Sequence, residues 1–266
     1  MSMSKLTTIA FATCALAVIS TPAAAADVPQ RPVPVPHAVM KGWYLRGDIG
    51  MTNQQVDDLD NLLFATAVDF ELHDKNFEAG MSFGGGIGYR FNSWLRADIT
   101  GEYRGETEFH GFDTYLDDVG DPRFNDYTAK KSEWLALANV YLDVGSWHGI
   151  SPFVGAGVGA ANVAIRSFRD AGIAYSTPND LATAFPTMGY ADDHDEWNFA
   201  WALYAGLGFE VTPAVTLELA YRYLDMGDGE SGDIIAFDGT NLFDNPMEFQ
   251  DITSHDLKLG VRYTFW

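Results

Sequence analysis

Residues Trp197 to Val211 read WNFAWALYAGLGFEV, and the alternation in this stretch decides the fold. Trp197, Phe199, Trp201, Leu203, Ala205, Leu207, Phe209 and Val211 share one face of an extended chain. Asn198, Ala200, Ala202, Tyr204, Gly206, Gly208 and Glu210 share the other. A period of two marks a strand whose faces meet chemically different surroundings. The next segment repeats the pattern, with Val215, Leu217, Leu219, Tyr221 and Tyr223 opposed to Thr216, Glu218, Ala220 and Arg222. So does the end of the chain, where Leu257, Leu259, Val261, Tyr263 and Phe265 oppose Asp256, Lys258, Gly260, Arg262 and Thr264.

Working upstream, the same alternation predicts strands over Trp43 to Ile49, Ala79 to Phe91 and Leu95 to Tyr103, and fainter ones around 132–144 and 150–165. That makes eight. Asn92-Ser93, Gly145 to Gly149 and Thr212 to Ala214 are tight connections, whereas the others run to roughly 25 to 30 residues. Short and long connections therefore alternate. An eight-stranded antiparallel transmembrane β-barrel, an all-β up-and-down meander, has this asymmetry: short periplasmic turns, four long extracellular loops and both chain ends in the periplasm.

The census of faces separates this reading from a soluble lipocalin-like barrel or sandwich. Arg46, Arg90, Arg96, Arg104, Arg222, Lys258 and Arg262 balance Asp48, Asp98, Glu102, Asp143, Glu210, Glu218 and Asp256 on the less apolar faces. In a soluble barrel the opposite faces, crowded with aromatic rings, would all have to fit a narrow interior. In a membrane the arrangement inverts: rings meet lipid and paired charges fill the lumen. Gly84, Gly86 and Gly88 on the inner face of the second strand would leave room for the long arginines. Tyr89, Phe91, Tyr263 and Phe265 form one aromatic girdle, and Tyr103, Trp134, Trp197 and Tyr223 the other.

The amino end carries Lys5, the apolar run LTTIAFATCALAVIS and the small-residue segment TPAAAAD, the order of a secretory signal cut before Asp27. Residues 1–26 read as signal peptide, 27–40 as a Pro-rich periplasmic tether (DVPQRPVPVPHAV) and 41–266 as the barrel. The single cysteine, Cys14, lies within the signal, so the mature chain has no disulfide framework. A composition 47% hydrophobic and 14% aromatic supplies ample surface to bury, in protein or in lipid. The net charge of -21 argues against nucleic acid as a partner, because phosphate recognition needs a basic face.

The excess negative charge falls in the long loops, which read as acidic and mobile. Asp192, Asp193, His194 and Asp195 are the candidates for a divalent-cation site there, although no segment has the spacing of a Ca²⁺ loop. The alternative is solvated loops bridged to lipopolysaccharide through cations. His73, His110, His194 and His255 could reach the same end, where they would suit haem capture or, with Ser254, hydrolysis. Ser254 and His255 are neighbours in a strand and face opposite ways, so they cannot form a catalytic pair. No enzyme activity and no cofactor is expected.

The segments GWYLRGDIG at Gly42, GGGIGYRFNSWLRADITGEYRG at Gly84, ANVYLDVG at Ala138 and HDLKLGVRYTF at His255 resemble the small porin-like outer-membrane proteins and major surface antigens of alphaproteobacteria. The resemblance implies an OmpA-type barrel in the outer membrane, contributing to envelope integrity and surface exposure, with a narrow diffusion channel or a surface adhesin as alternatives. It implies no catalytic residue. It also implies a terminal aromatic recognised by the barrel-assembly machinery; Tyr263 and Phe265 match that pattern, and Trp266 stands one residue beyond it. Outer-membrane lipid and lipopolysaccharide are the other partners implied, and the oligomeric state is left open.

Overall fold

The computed structural model describes residues 41–62, 64, 67–241 and 244–265. The signal peptide, the tether and Trp266 lie outside the described residues.

Alternating sequence yields strands in chain order: β1 (Gly42–Gln55), β2 (Asp58–Asp60), β3 (Val68–Phe77), β4 (Gly80–Arg90), β5 (Leu95–Leu116), β6 (Pro122–Asp143) and β7 (Ile150–Tyr175). They continue with β8 (Ala184–Ala191), β9 (His194–Glu210), β10 (Val215–Asp225), β11 (Gly229–Glu230), β12 (Ile234–Ala236), β13 (Glu248–Gln250) and β14 (Thr253–Phe265). Eight of them close a ring of antiparallel pairs, β1 to β4, β5, β6, β7, β9, β10, β14 and back to β1. Closure leaves the ring without an edge, so its backbone groups are paired within the sheet, as a lipid environment requires.

The outer wall is apolar. Ile99 is 65% exposed and Phe199 67%, and Leu45, Ile87, Val140, Val158, Leu203, Leu219 and Leu259 stand around them. A continuous apolar belt of this extent is not compatible with water. Trp43, Phe91, Trp94 and Tyr263 ring the belt at the short-turn end, with Trp134 and Trp197 toward the other. The turns fall as expected: Asn92 Oδ1 accepts from the backbone N–H of Trp94 and Leu95, and Thr212 Oγ1 from Ala214 and Val215.

At the long-loop end much of the sequence expected as acidic loop is strand instead. β5 and β6 run on together to a five-residue turn at Asp117 to Asp121 and pair from Leu95↔Leu142 to Leu116↔Pro122. β7 extends to Tyr175 and folds back as β8, which β12 joins. β3, expected as part of a loop, pairs with the extension of β5. β11, β13 and β2 make a second, three-stranded sheet. These pieces form a head over the barrel mouth, in which Val56, Leu59, Phe77, Phe109, Ile165, Phe168, Met226, Met247, Phe249 and Ile252 are buried, in one cluster with Leu135, Leu137, Tyr141 and Phe153 of the barrel.

A β-bulge marks the level at which β5 passes from barrel to head. The β5–β6 register slips between Arg104 and Thr107, so one extra residue is inserted on β5. Below the slip Arg96, Asp98, Glu102 and Arg104 point inward; above it Thr107, Phe109, Gly111 and Asp113 do. The shift turns Phe109 into the core and leaves Glu106, Glu108 and His110 outside.

Candidate functional site

The interior of the ring is a charge network. At the short-turn end, Asp143 on β6 receives Arg90 and Arg96, the latter at 3.2 Å. Arg96 is fully buried, with its guanidinium carbon 4.1 Å from the centre of the Tyr141 ring and 4.7 Å from that of Phe153. Glu218 on β10 gathers Arg262 at 2.9 Å, Arg96 at 3.3 Å and Arg46 at 3.7 Å. Arg46 also reaches Asp98 at 3.1 Å and donates to the Tyr141 hydroxyl at 2.8 Å.

Midway, Lys258 lies 2.5 Å from both Asp48 and Glu102. Toward the head, Arg222 bridges Glu102 at 2.6 Å and Asp256 at 2.5 Å. Arg104 meets Asp256 at 2.9 Å and Glu133 at 3.2 Å, and donates to Ser254 Oγ at 2.7 Å. Lys131 pairs with Glu133 and Gln54 and stands 4.3 Å from the Phe77 ring, where the polar lumen meets the apolar head. Each charge is thus matched within the wall, as burial demands.

Thirteen of the fourteen charges expected from sequence to face inward do so: Arg46, Asp48, Arg90, Arg96, Asp98, Glu102, Arg104, Glu218, Arg222, Lys258 and Arg262, with Asp143 and Asp256; Glu210, at the short-turn end of β9, is exposed instead. Lys131 and Glu133 were missed. Glu133 alternates with outward Trp134 and could have been read from that parity; Lys131 lay beyond the strand boundary set at 132. The expected role of the β4 glycines is corrected: side chains at Gly88 and Gly84 would run into the Tyr44 ring and the Asp48 carboxylate, so these positions admit β1 groups rather than arginines.

The acidic segment before β9 is dispersed rather than gathered. Asp193 accepts from Arg166 at 3.1 Å and from the Ser167 backbone N–H at 3.0 Å. Asp195 accepts from Asn162, while the backbone oxygen of Asp192 accepts from Gly232. His194 instead faces Glu196 and Glu230, their ligand atoms mutually within 4.8 Å. Sequence spacing hid this grouping because Glu230 comes from another loop. His73 contacts Thr114 Oγ1, and His255 contacts the Tyr221 hydroxyl on the outer wall, opposite buried Ser254. Tyr263 and Phe265 stack on that wall with ring centres 6.4 Å apart.

An edgeless, lipid-jacketed barrel of eight strands with an ion-paired interior defines an integral outer-membrane protein of the Gram-negative kind. The chain belongs to the outer membrane protein beta-barrel domain family, whose model matches residues 11–265. It is 30% identical to an uncharacterized protein of Brucella abortus, covering 97% of this chain and 98% of that one. A Rickettsia prowazekii protein named as a candidate adhesin is 26% identical over 83% of this chain and 86% of its own. The outer membrane protein OprG of Pseudomonas aeruginosa aligns at 11% identity over 86% of this chain and 99% of its own, with a TM-score of 0.46.

Proposed function

We propose that this protein is a structural, surface-presenting barrel that contributes to envelope integrity and does not serve as a diffusion pore. The carrying observation is the lumen: from Asp143 to Lys131 its cross-section is occupied by interlocked ion pairs, with the Phe77, Phe109 and Phe249 rings above them. An eight-stranded barrel has room inside for little more than side chains. In this reading the short-turn end and both termini face the periplasm, and the head faces outward. Tyr263, Phe265 and Trp266 engage the assembly machinery, and the acidic head meets lipopolysaccharide through bridging divalent cations.

Deleting the gene in its own host tests this. The proposal expects raised sensitivity to detergent and to large antibiotics, restored by the full chain and by a chain lacking the Asp117 to Asp121 turn. Unchanged sensitivity contradicts it. Adhesion is the second reading. It is favoured by large apolar side chains left bare on the head, Phe237 at 71% exposure with Phe185 and Tyr190 beside β12, and by the name of the Rickettsia relative. A deletion strain that binds host matrix less while keeping its permeability barrier would support adhesion instead.

A further inference from the structure

The head contains a cavity of about 470 Å³ walled by segments from all four long loops. Phe64 and Phe70 come from the first, their rings tilted with centres 4.4 Å apart. Tyr115 and Tyr127 come from the β5–β6 extension, Asp170 from that of β7, and Asn245 from the last loop. This volume falls within the range that holds small organic ligands, and its walls mix aromatic and aliphatic side chains with polar ones such as Asn125, Thr187 and Thr240.

The polar groups are incompletely used. Asp170 Oδ1 is buried without a hydrogen-bond partner, and so is Asn245 Oδ1. A buried carboxylate oxygen left bare is costly unless something donates to it. The cation in the cavity wall offers no relief: Arg123 directs Nε and Nη2 to Asp117 at 3.0 and 2.7 Å, and Nη1 to the Ile173 carbonyl at 3.0 Å. Asp113 adds negative charge from β5, its oxygens already taken by Tyr127 and Asn125. The lipid-facing side chains of β7 end near Val158, so Asp170 stands well beyond the membrane. Burial and the Asp113 charge push its carboxyl up to about 7.

We propose that this cavity binds a small organic cation, a protonated amine on an apolar or aromatic body. The ammonium donates to Asp170 Oδ1 and the body lies among Phe64, Phe70, Tyr115 and Tyr127. Aromatic faces attract a cation, and a charge-assisted hydrogen bond to a desolvated carboxylate is among the stronger polar contacts. A neutral isostere retains the apolar contacts but loses the ionic one, and an anion is repelled. The site stands apart from the lumen, so it holds whether or not the barrel conducts.

Calorimetric titration of the refolded full chain in phosphatidylcholine nanodiscs tests it, at about pH 8.5, where Asp170 has lost its proton and an aliphatic amine keeps its own, with empty discs as reference. The probes are 2-phenylethylamine, neutral 2-phenylethanol and anionic 3-phenylpropanoate. The expected result is saturable one-site binding of the amine, about tenfold weaker binding of the alcohol and none of the carboxylate. Asp170→Asn, nearly isosteric, should bring the amine down to the level of the alcohol, and Ala174→Trp, which fills the cavity, should abolish both. Equal binding of amine and alcohol, amine binding indifferent to Asp170→Asn, or no heat above that of empty discs would each overturn the proposal. The three-probe comparison on the unaltered chain decides even where a variant fails to fold.

Discussion

Below Arg104 the inward positions of β5 are Arg96, Asp98 and Glu102; above the bulge they include Thr107, Phe109 and Asp113. The same pair of strands thus encloses two interiors of opposite chemistry. At membrane level the outer wall meets hydrocarbon, so apolar side chains gain little by turning inward; Leu135, Leu137, Tyr141 and Phe153 line one side of the lumen, and ion pairs hold the rest of it. In the head the outer wall meets water and burial of apolar surface again favours folding, so Phe77, Phe109 and Phe249 turn inward and pack within about 6 Å of one another. The difference teaches that inside and outside in this chain are set by the solvent beyond the wall. The inserted residue lets β5 follow that change, while β6 passes from Glu133 and Lys131 to Ala129 and Tyr127 with its alternation unbroken.

Removing a lumen cation should have the largest effect. Arg222→Ala leaves Glu102 and Asp256 short of a partner, and breaking such a buried pair costs about 3–5 kcal/mol. The urea midpoint for unfolding of the refolded barrel in lipid should fall accordingly, and an unchanged midpoint would break the claim that the lumen is held by charge.

Phe249→Ala deletes a fully buried ring and should cost about 3–5 kcal/mol, confined to the head. Limited proteolysis should then cut the head while the heat-modifiable barrel band persists; a barrel that unfolds with the head would show the two regions to be one cooperative unit. Ile99→Arg, on the lipid side, should cost about 2–4 kcal/mol in bilayers. Phe109→Arg, on the same strand beyond the bulge, should leave the bilayer-embedded barrel intact and open the head instead.

The smallest effect is expected from Asp170→Asn. Its carboxyl is raised from 3.8 to about 7 by burial first and then by Asp113, so the folded head holds a proton that the unfolded chain releases earlier. The contribution of Asp170 to head stability is therefore full below about pH 4 and is lost as pH rises through 7. In Asp170→Asn the protease resistance of the head should depend less on pH across that window. A slope as steep as in the unaltered chain would assign the dependence to another group.

The barrel was legible because lipid and lumen impose opposite chemistry on alternate residues, as from Trp197 to Val211, and because Asn92-Ser93 and Thr212 to Ala214 punctuate it. The head was not. The bulge between Arg104 and Thr107 breaks the parity that reading depends on, and β3 also slips between Val68 and Glu71 and between Leu72 and Asp74. The rings that form the core, Phe77, Phe109 and Phe249, come from distant, acid-rich segments whose local composition reads as solvated loop. Glu230 joins His194 and Glu196 because β11 lies against β9, a long-range contact that spacing along the chain cannot signal. The tight approach of Tyr44 and Asp48 to Gly88 and Gly84 depends on the β1–β4 register, in which Tyr44 lies opposite Gly88 and Asp48 opposite Gly84.

The central claim, a lumen closed by its own ion pairs, is tested most directly by single-channel recording of the refolded protein in planar bilayers, with Arg96→Ala and Arg222→Ala alongside. The account predicts a silent bilayer for the unaltered chain, with small discrete steps appearing only in the variants. Regular conductance steps from the unaltered chain, no larger in the variants, would contradict it.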